Sequence, residues 1–133
     1  MKNYAGLIAD KAWAEFHKRI ARAVNENHRL VHKGRYLETS IGWGMGDHSF
    51  SMEIRNGRIA EIGVGTRSVF TISAPADAWI EFSTALPRPG YQDIFAMIDE
   101  RYATAEGDLL PFFSNIFYVK GIFGTIRDAG DAS

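Results

Sequence analysis

The chain has 133 residues, 46% hydrophobic, 13% aromatic and 23% charged, with four prolines, no cysteine and a formal net charge of −1. That length suits one compact domain with a real apolar core, and the composition excludes disordered, collagen-like and mucin-like chains. The absence of cysteine excludes a disulfide scaffold and any thiolate metal, iron–sulfur or thiol chemistry.

Tyr4–Ala9 is apolar but is cut by Asp10-Lys11, which does not fit a signal peptide. No run of about 18 apolar residues follows, so nothing is expected to span a membrane. The expected location is the cytoplasm, with at most peripheral membrane contact. Charge is uneven: residues 1–35 hold eight Lys/Arg against three Asp/Glu, and the remainder holds seven against 13. The basic opening is expected to pack on the acidic remainder, although such a segment also suits anionic lipid or nucleic acid.

Ala9, Ala12, Trp13, Phe16, Ile20 and Val24 recur at helical spacing and predict an amphipathic helix over residues 9–24. Asn25-Glu26-Asn27 weakens it and Gly34 marks a stop. The period then becomes two. Leu37, Thr39, Ile41 and Trp43 alternate with Tyr36, Glu38, Ser40 and Gly42, and Phe50, Met52 and Ile54 alternate with Ser49, Ser51 and Glu53. Gly42–Asp47 between them reads as a glycine-rich loop. Asn56-Gly57 is a strong hairpin signal, because both turn residues must accept positive φ. Arg58–Val64 is the return strand and Arg67–Ser73 a further one.

After Ser73 the pattern turns helical, with Trp79, Ile80, Phe82 and Ser83 inward and Pro87-Arg88-Pro89-Gly90 as the stop. Tyr91–Tyr102 reads as another helix with Ile94, Phe95, Met97 and Ile98 inward. Arg101–Glu106 fits either that helix or a short edge strand. Ten of the 16 residues of Asp108–Phe123 are apolar. Pro111 belongs in a first turn, so this helix should start near Asp108. A helix apolar around most of its circumference is buried, lines a cavity or meets a partner. The predicted architecture is α+β: an N-terminal helix, a mostly antiparallel sheet of about five strands with an Asn-Gly hairpin, then two or three helices. One domain spans 1–133, its core about 9–123 and a flexible tail over 124–133.

Signatures of catalysis are thin. Gly42-Trp43-Gly44-Met45-Gly46 and Gly63-Val64-Gly65 lack the spacing and the strand–helix context of a dinucleotide fingerprint. His28 and His32 stand four apart but have no third ligand, so no metal is expected. Asp47-His48 offers an orienter and a base, though sequence neighbours rarely face one another. No nucleophile elbow occurs, Asp99-Glu100 and Glu106/Asp108 are ordinary carboxylate pairs, and Lys11–Arg22 lacks an RNA-binding signature. No nucleic acid is expected.

The second half resembles a known family. Phe70-Thr71-Ile72-Ser73-Ala74-Pro75-Ala76-Asp77-Ala78-Trp79 is a strand running into a Trp-bearing helix. A proline break and an aromatic helix follow, then Ala105-Glu106-Gly107-Asp108-Leu109 and an apolar last helix. Upstream, Ser51–Arg58 carries the strand–Asn-Gly–strand hairpin. Over roughly residues 11–123 this order is similar to the sterol carrier protein type 2 superfamily. One departure is the polar segment Ile98–Thr104, where that family has a Gly-Lys-Leu-type strand.

The resemblance implies a non-enzymatic fold: a five-stranded sheet covered by helices around an apolar tunnel for a fatty acid, acyl-CoA or sterol-like lipid, with no cofactor. By position, the ligand wall would comprise Trp79, Phe82, Phe95, Ile98, Phe112, Phe113, Ile116, Phe117 and Phe123. Each of these side chains also suits ordinary core packing. Tyr118 is set apart, because a buried hydroxyl needs a partner. The alternative is an accessory module that docks on an enzyme, or dimerises, through Leu109–Phe123. A small enzyme with a loop site at Gly42–His48 is a third reading.

Overall fold

The computed structural model describes residues 10–65 and 68–131, with side chains over 14–65 and 68–127. Helix α1 (Asp10–Asn25) carries the predicted stripe, with Phe16, Ile20 and Val24 fully buried. The side chains of Ala9, Ala12 and Trp13 lie outside the described residues. Asn27 starts a second short helix, α2 (His28–Lys33), by accepting from the Leu30 amide at 3.1 Å. Asn25 does something else: its amide donates to the Ile59 carbonyl at 3.0 Å and accepts from the Ile59 N–H at 2.8 Å. It thereby stands in for a neighbouring strand at one point of an otherwise open sheet edge.

Five strands form one sheet in the order β3-β2-β1-β4-β5. They are β1 (Glu38–Met45), β2 (His48–Arg55), β3 (Arg58–Val64), β4 (Phe70–Ala74) and β5 (Thr104–Gly107). β1 and β4 pair in parallel, and the other three ladders are antiparallel. The two-residue period puts Ile41, Trp43, Met45, Phe50, Met52, Ile54, Phe70, Ile72 and Ala74 among the buried residues. Asn56 (φ 53°) and Gly57 (φ 80°) make the expected hairpin turn.

The loop expected at Gly42–Asp47 is a correction: β1 runs on to Met45, and only Gly46-Asp47 turns. Gly42 and Gly44 lie opposite Thr71 and Ser73 of β4, and a Cβ at either glycine would collide with those hydroxyls. These glycines serve close strand packing rather than a turn.

Helix α3 (Ala76–Phe82) follows Pro75, and its Trp79 indole donates to the Gly44 carbonyl at 2.8 Å. Helix α4 (Ile94–Asp99) is shorter than the expected Tyr91–Tyr102, because Asp93 caps it and the chain turns left-handed at Arg101 (φ 65°). The polar segment that follows supplies β5, the edge strand.

The single helix expected over Asp108–Phe123 is two: α5 (Leu110–Ser114) and α6 (Ile116–Asp131). They break at Asn115 (φ −132°, ψ 41°), whose side chain donates back to the Pro111 carbonyl at 2.9 Å. The tail expected from residue 124 is also corrected, since α6 continues to Asp131. Ile126 is fully buried, and the Arg127 guanidinium donates to the Phe82 carbonyl at 2.6 Å and the Gln92 carbonyl at 3.0 Å. Among the described residues no helix is long and apolar enough to cross a membrane.

Candidate functional site

The nine side chains expected on a ligand wall separate into three groups. Trp79, Phe82, Phe112 and Phe123 are buried in the core. Trp79 stacks on Phe123 at 5.8 Å and meets Phe82 and Trp43 edge-on at 5.5 and 5.9 Å. Phe95 and Ile98 are half-buried on α4 and line a shallow, open depression with Asp93, Ala96 and Asp99. Phe113, Ile116 and Phe117 point outward, 58%, 36% and 71% exposed, together with Leu110 at 71%.

Within α5, Phe112 and Phe113 lie about 100° apart, and the break at Asn115 sets Ile116 and Phe117 on a separate helix. In one continuous helix Phe112, Phe113, Ile116 and Phe117 would form a single i, i+1, i+4, i+5 face. As folded, the chain keeps Phe112 inward and the other three toward solvent. An aromatic series links the two groups: Phe70 to Phe112 at 5.5 Å, Phe112 to Phe95 at 4.9 Å, and Phe112 to Phe113 at 5.1 Å. The α4–α5–α6 elbow is therefore apolar from the sheet to the surface. Four large apolar side chains exposed within eight residues are more than a monomer surface usually carries in one place.

Tyr118 meets the expectation of a partnered hydroxyl. It donates to the Gly57 carbonyl at 2.7 Å, and burial raises its pKa. His28 and His32 are exposed on α2, and the described residues hold no cluster of metal-ligating side chains. Asp47 is exposed in the β1–β2 turn, while His48 starts β2 and stacks on Phe50 at 6.4 Å.

Two concavities were not evident from the sequence. One is a groove of about 510 Å³ between α1 and β3, lined by Ala14, Ala21, Ile59 and Ile62 with His17 beside them. His17 is buried, its ring 4.8 Å from Phe50, and burial holds its pKa down at about 4. The other is a cleft of about 620 Å³ at the carboxyl ends of β1 and β4. Both bring together residues far apart in the chain, so no local period reports them.

No protein-family profile matches the chain, and no curated protein is similar to it in sequence. Solved structures are similar in fold. A crystal structure of sterol carrier protein 2 superposes with a TM-score of 0.71 at 12% identity, covering 85% of this chain and 94% of that one. The solution structure of a conserved hypothetical protein from Thermus thermophilus superposes at 0.64 and 12% identity, over 86% and 85%. The ubiquinone synthesis protein UbiJ-SCP2 superposes at 0.52 and 11% identity, over 96% and 99%. With the mixed five-stranded sheet and its helical cover, these likenesses establish that the chain has the sterol carrier protein 2 fold.

Proposed function

We propose that the protein binds an apolar ligand, a fatty acyl or sterol-like molecule, at the α4–α5–α6 elbow, without catalysing a reaction on it. The observation that carries this reading is the exposure of Leu110, Phe113 and Phe117 directly outside the Phe95–Phe112 stack. Covering apolar surface is worth about 25 cal/mol per Å², so these side chains favour whatever removes them from water. The half-buried Phe95 and Ile98 offer the adjoining concavity. Helix α5 is only five residues long, which suits an element that shifts to admit a chain. The fold likeness to sterol carrier protein 2 agrees with a ligand of this class.

Native mass spectrometry of the purified chain, with organic extraction of what it carries, tests the reading. The expected result is a co-purifying lipid, displaced by a fluorescent fatty acid. Phe113→Asp and Phe117→Asp should weaken that probe about tenfold or more with the urea midpoint unchanged, because both side chains are already exposed. An empty chain that binds no probe overturns it. The high exposure of Phe117 favours a second reading in which the same surface docks on a protein. Self-association or partner capture abolished by Phe117→Asp, with no lipid bound, would select that reading.

A further inference from the structure

Strand β3 is one edge of the sheet, and its backbone is committed unevenly. Ile59 turns both its N–H and its carbonyl away from β2, and Asn25 takes both. The register then slips opposite Glu53/Ile54, which leaves Ala60 as an extra residue. Farther along, the Gly65 N–H donates back to the Ser49 carbonyl at 3.2 Å, so the groups of Gly65 face β2. Backbone groups alternate along an antiparallel strand. Gly63 therefore also faces β2, whereas Ile62 and Val64 face outward. Among the described residues nothing bonds to the outward N–H or carbonyl of either.

The stretch that is open is also apolar. A side-chain cap, a bulge and the charge of Glu61 guard the first part of β3, as edges usually are guarded against strand addition. Ile62-Gly63-Val64 carries none of these devices. Val64 pairs with the buried Phe50, which puts it on the helix-covered face, yet it is 88% exposed. The groove of about 510 Å³ beside it is lined by every residue from 59 to 64, so it opens along the edge itself. Ala14 and Ala21 of α1 form its other wall, and their short side chains leave it unfilled.

We propose that this edge pairs antiparallel with the same edge of a second copy of the chain, joining the two sheets across a twofold axis at Gly63. Self-complementarity of the stretch is what selects a second copy. With the axis at Gly63, Ile62 of each copy stands opposite Val64 of the other, and both outward N–H and both outward carbonyls of each copy find partners. Ile62 and Val64 share the helix-covered face, so each Ile–Val pair enters the groove under α1. On the opposite face Gly63 meets Gly63, and Glu61 meets Gly65. The two Glu61 side chains then stand about 13 Å apart along the seam. An axis at Glu61 would oppose the two carboxylates, and an axis at Ile62 would spend Val64 on the bulged Ala60. The seam lies at the sheet edge away from β5 and is independent of the ligand at the elbow.

The test is sedimentation equilibrium of the full chain, followed by cysteine cross-linking. A reversible monomer–dimer equilibrium is expected, weak because the seam is short, with half-dissociation at about 10–100 μM. Val64→Lys should weaken it about tenfold or more. Its urea midpoint at about 1 μM protein, where single copies dominate, should not change, because Val64 is already exposed. Phe117→Asp should leave the dimer intact. The chain has no cysteine, so single cysteines report the register. Gly63→Cys has open space for its Cβ and should join two copies by a disulfide in oxidised glutathione. Residues that face each other there stand about 4.5 Å apart, Cα to Cα, within reach of that bond. Glu61→Cys, about 13 Å from its counterpart, should not cross-link. A monomer throughout the range, a dimer lost to Phe117→Asp but not to Val64→Lys, or cross-linking as fast at Glu61→Cys as at Gly63→Cys overturns the proposal.

Discussion

Tyr118 joins α6 to the β2–β3 hairpin through one hydrogen bond, from its hydroxyl to the Gly57 carbonyl 61 residues away. Its ring packs so closely on Gly34 that a Cβ there would lie 2.5 Å from Cε1. Tyr118→Phe would keep the ring and strand the Gly57 carbonyl without its donor. The expected cost is about 1–2 kcal/mol, measured as a lowered urea midpoint at unchanged slope. That this hydroxyl needs a partner was legible in the sequence, since an apolar helix leaves it no water. Which carbonyl answers was not, because the pairing depends on how the hairpin tip meets α2 and α6. Phe112 and Phe113 make the same point for the candidate site. They are adjacent and chemically identical, yet one is 1% exposed and the other 58%. The two lie about 100° apart on α5, so the difference is set by which face of that short helix meets the core, and the apolar run does not mark that face.

At the scale of elements, alternation made the strands readable and the Asn-Gly turn fixed one hairpin register. The parallel pairing of β1 with β4 was not readable, because a period of two reports which face is buried and not which strand lies alongside. Gly42 and Gly44 resemble turn residues in the sequence, but in the sheet they let Thr71 and Ser73 approach. The end of α6 follows the same logic of close packing. A Cβ at Gly121 would strike Leu30, so this glycine admits a neighbouring helix and does not end α6. The last turns of α6 then bury Ile126 and anchor Arg127 to the Phe82 and Gln92 carbonyls. Burying an isoleucine is worth about 1.5–3 kcal/mol, and a hydrogen bond from a charged donor about 1.5–3 kcal/mol. Ending the chain after Phe123 should therefore cost at least about 3 kcal/mol, a large share of a typical domain's 5–15 kcal/mol. A truncated chain with the full-length thermal midpoint would show that residues 124–131 contribute no stability.

For the whole molecule, the segregation of basic residues into the first 35 positions suggested electrostatic packing on an acidic remainder. Ion pairs among the described residues show other arrangements: Lys18 pairs with Glu15 and Arg88 with Glu81 locally, and Lys120 of α6 pairs with Asp93. What holds α1 is apolar: Phe16, Ile20 and Val24 enter the core, with Phe16 5.9 Å from Trp43. His17 enters with them, and this gives stability a pH dependence. Burial lowers its pKa from 6.5 to about 4. Between those values the unfolded chain takes up a proton that the folded chain refuses, so the unfolded state gains as pH falls. The contribution is whole above pH 6.5, declines below it, and is fully lost once pH passes below about 4. Its size is on the order of 3 kcal/mol. Glu81, whose carboxyl Arg88 holds below its ordinary value of 4.5, acts in the same direction but only at lower pH. His17→Phe keeps an aromatic ring against Phe50 and removes the titration. Urea midpoints of the two chains should run at a constant offset above pH 6.5 and converge, or cross, as pH falls to 4. Parallel curves throughout that window would mean that the folded chain takes up the proton as readily as the unfolded one.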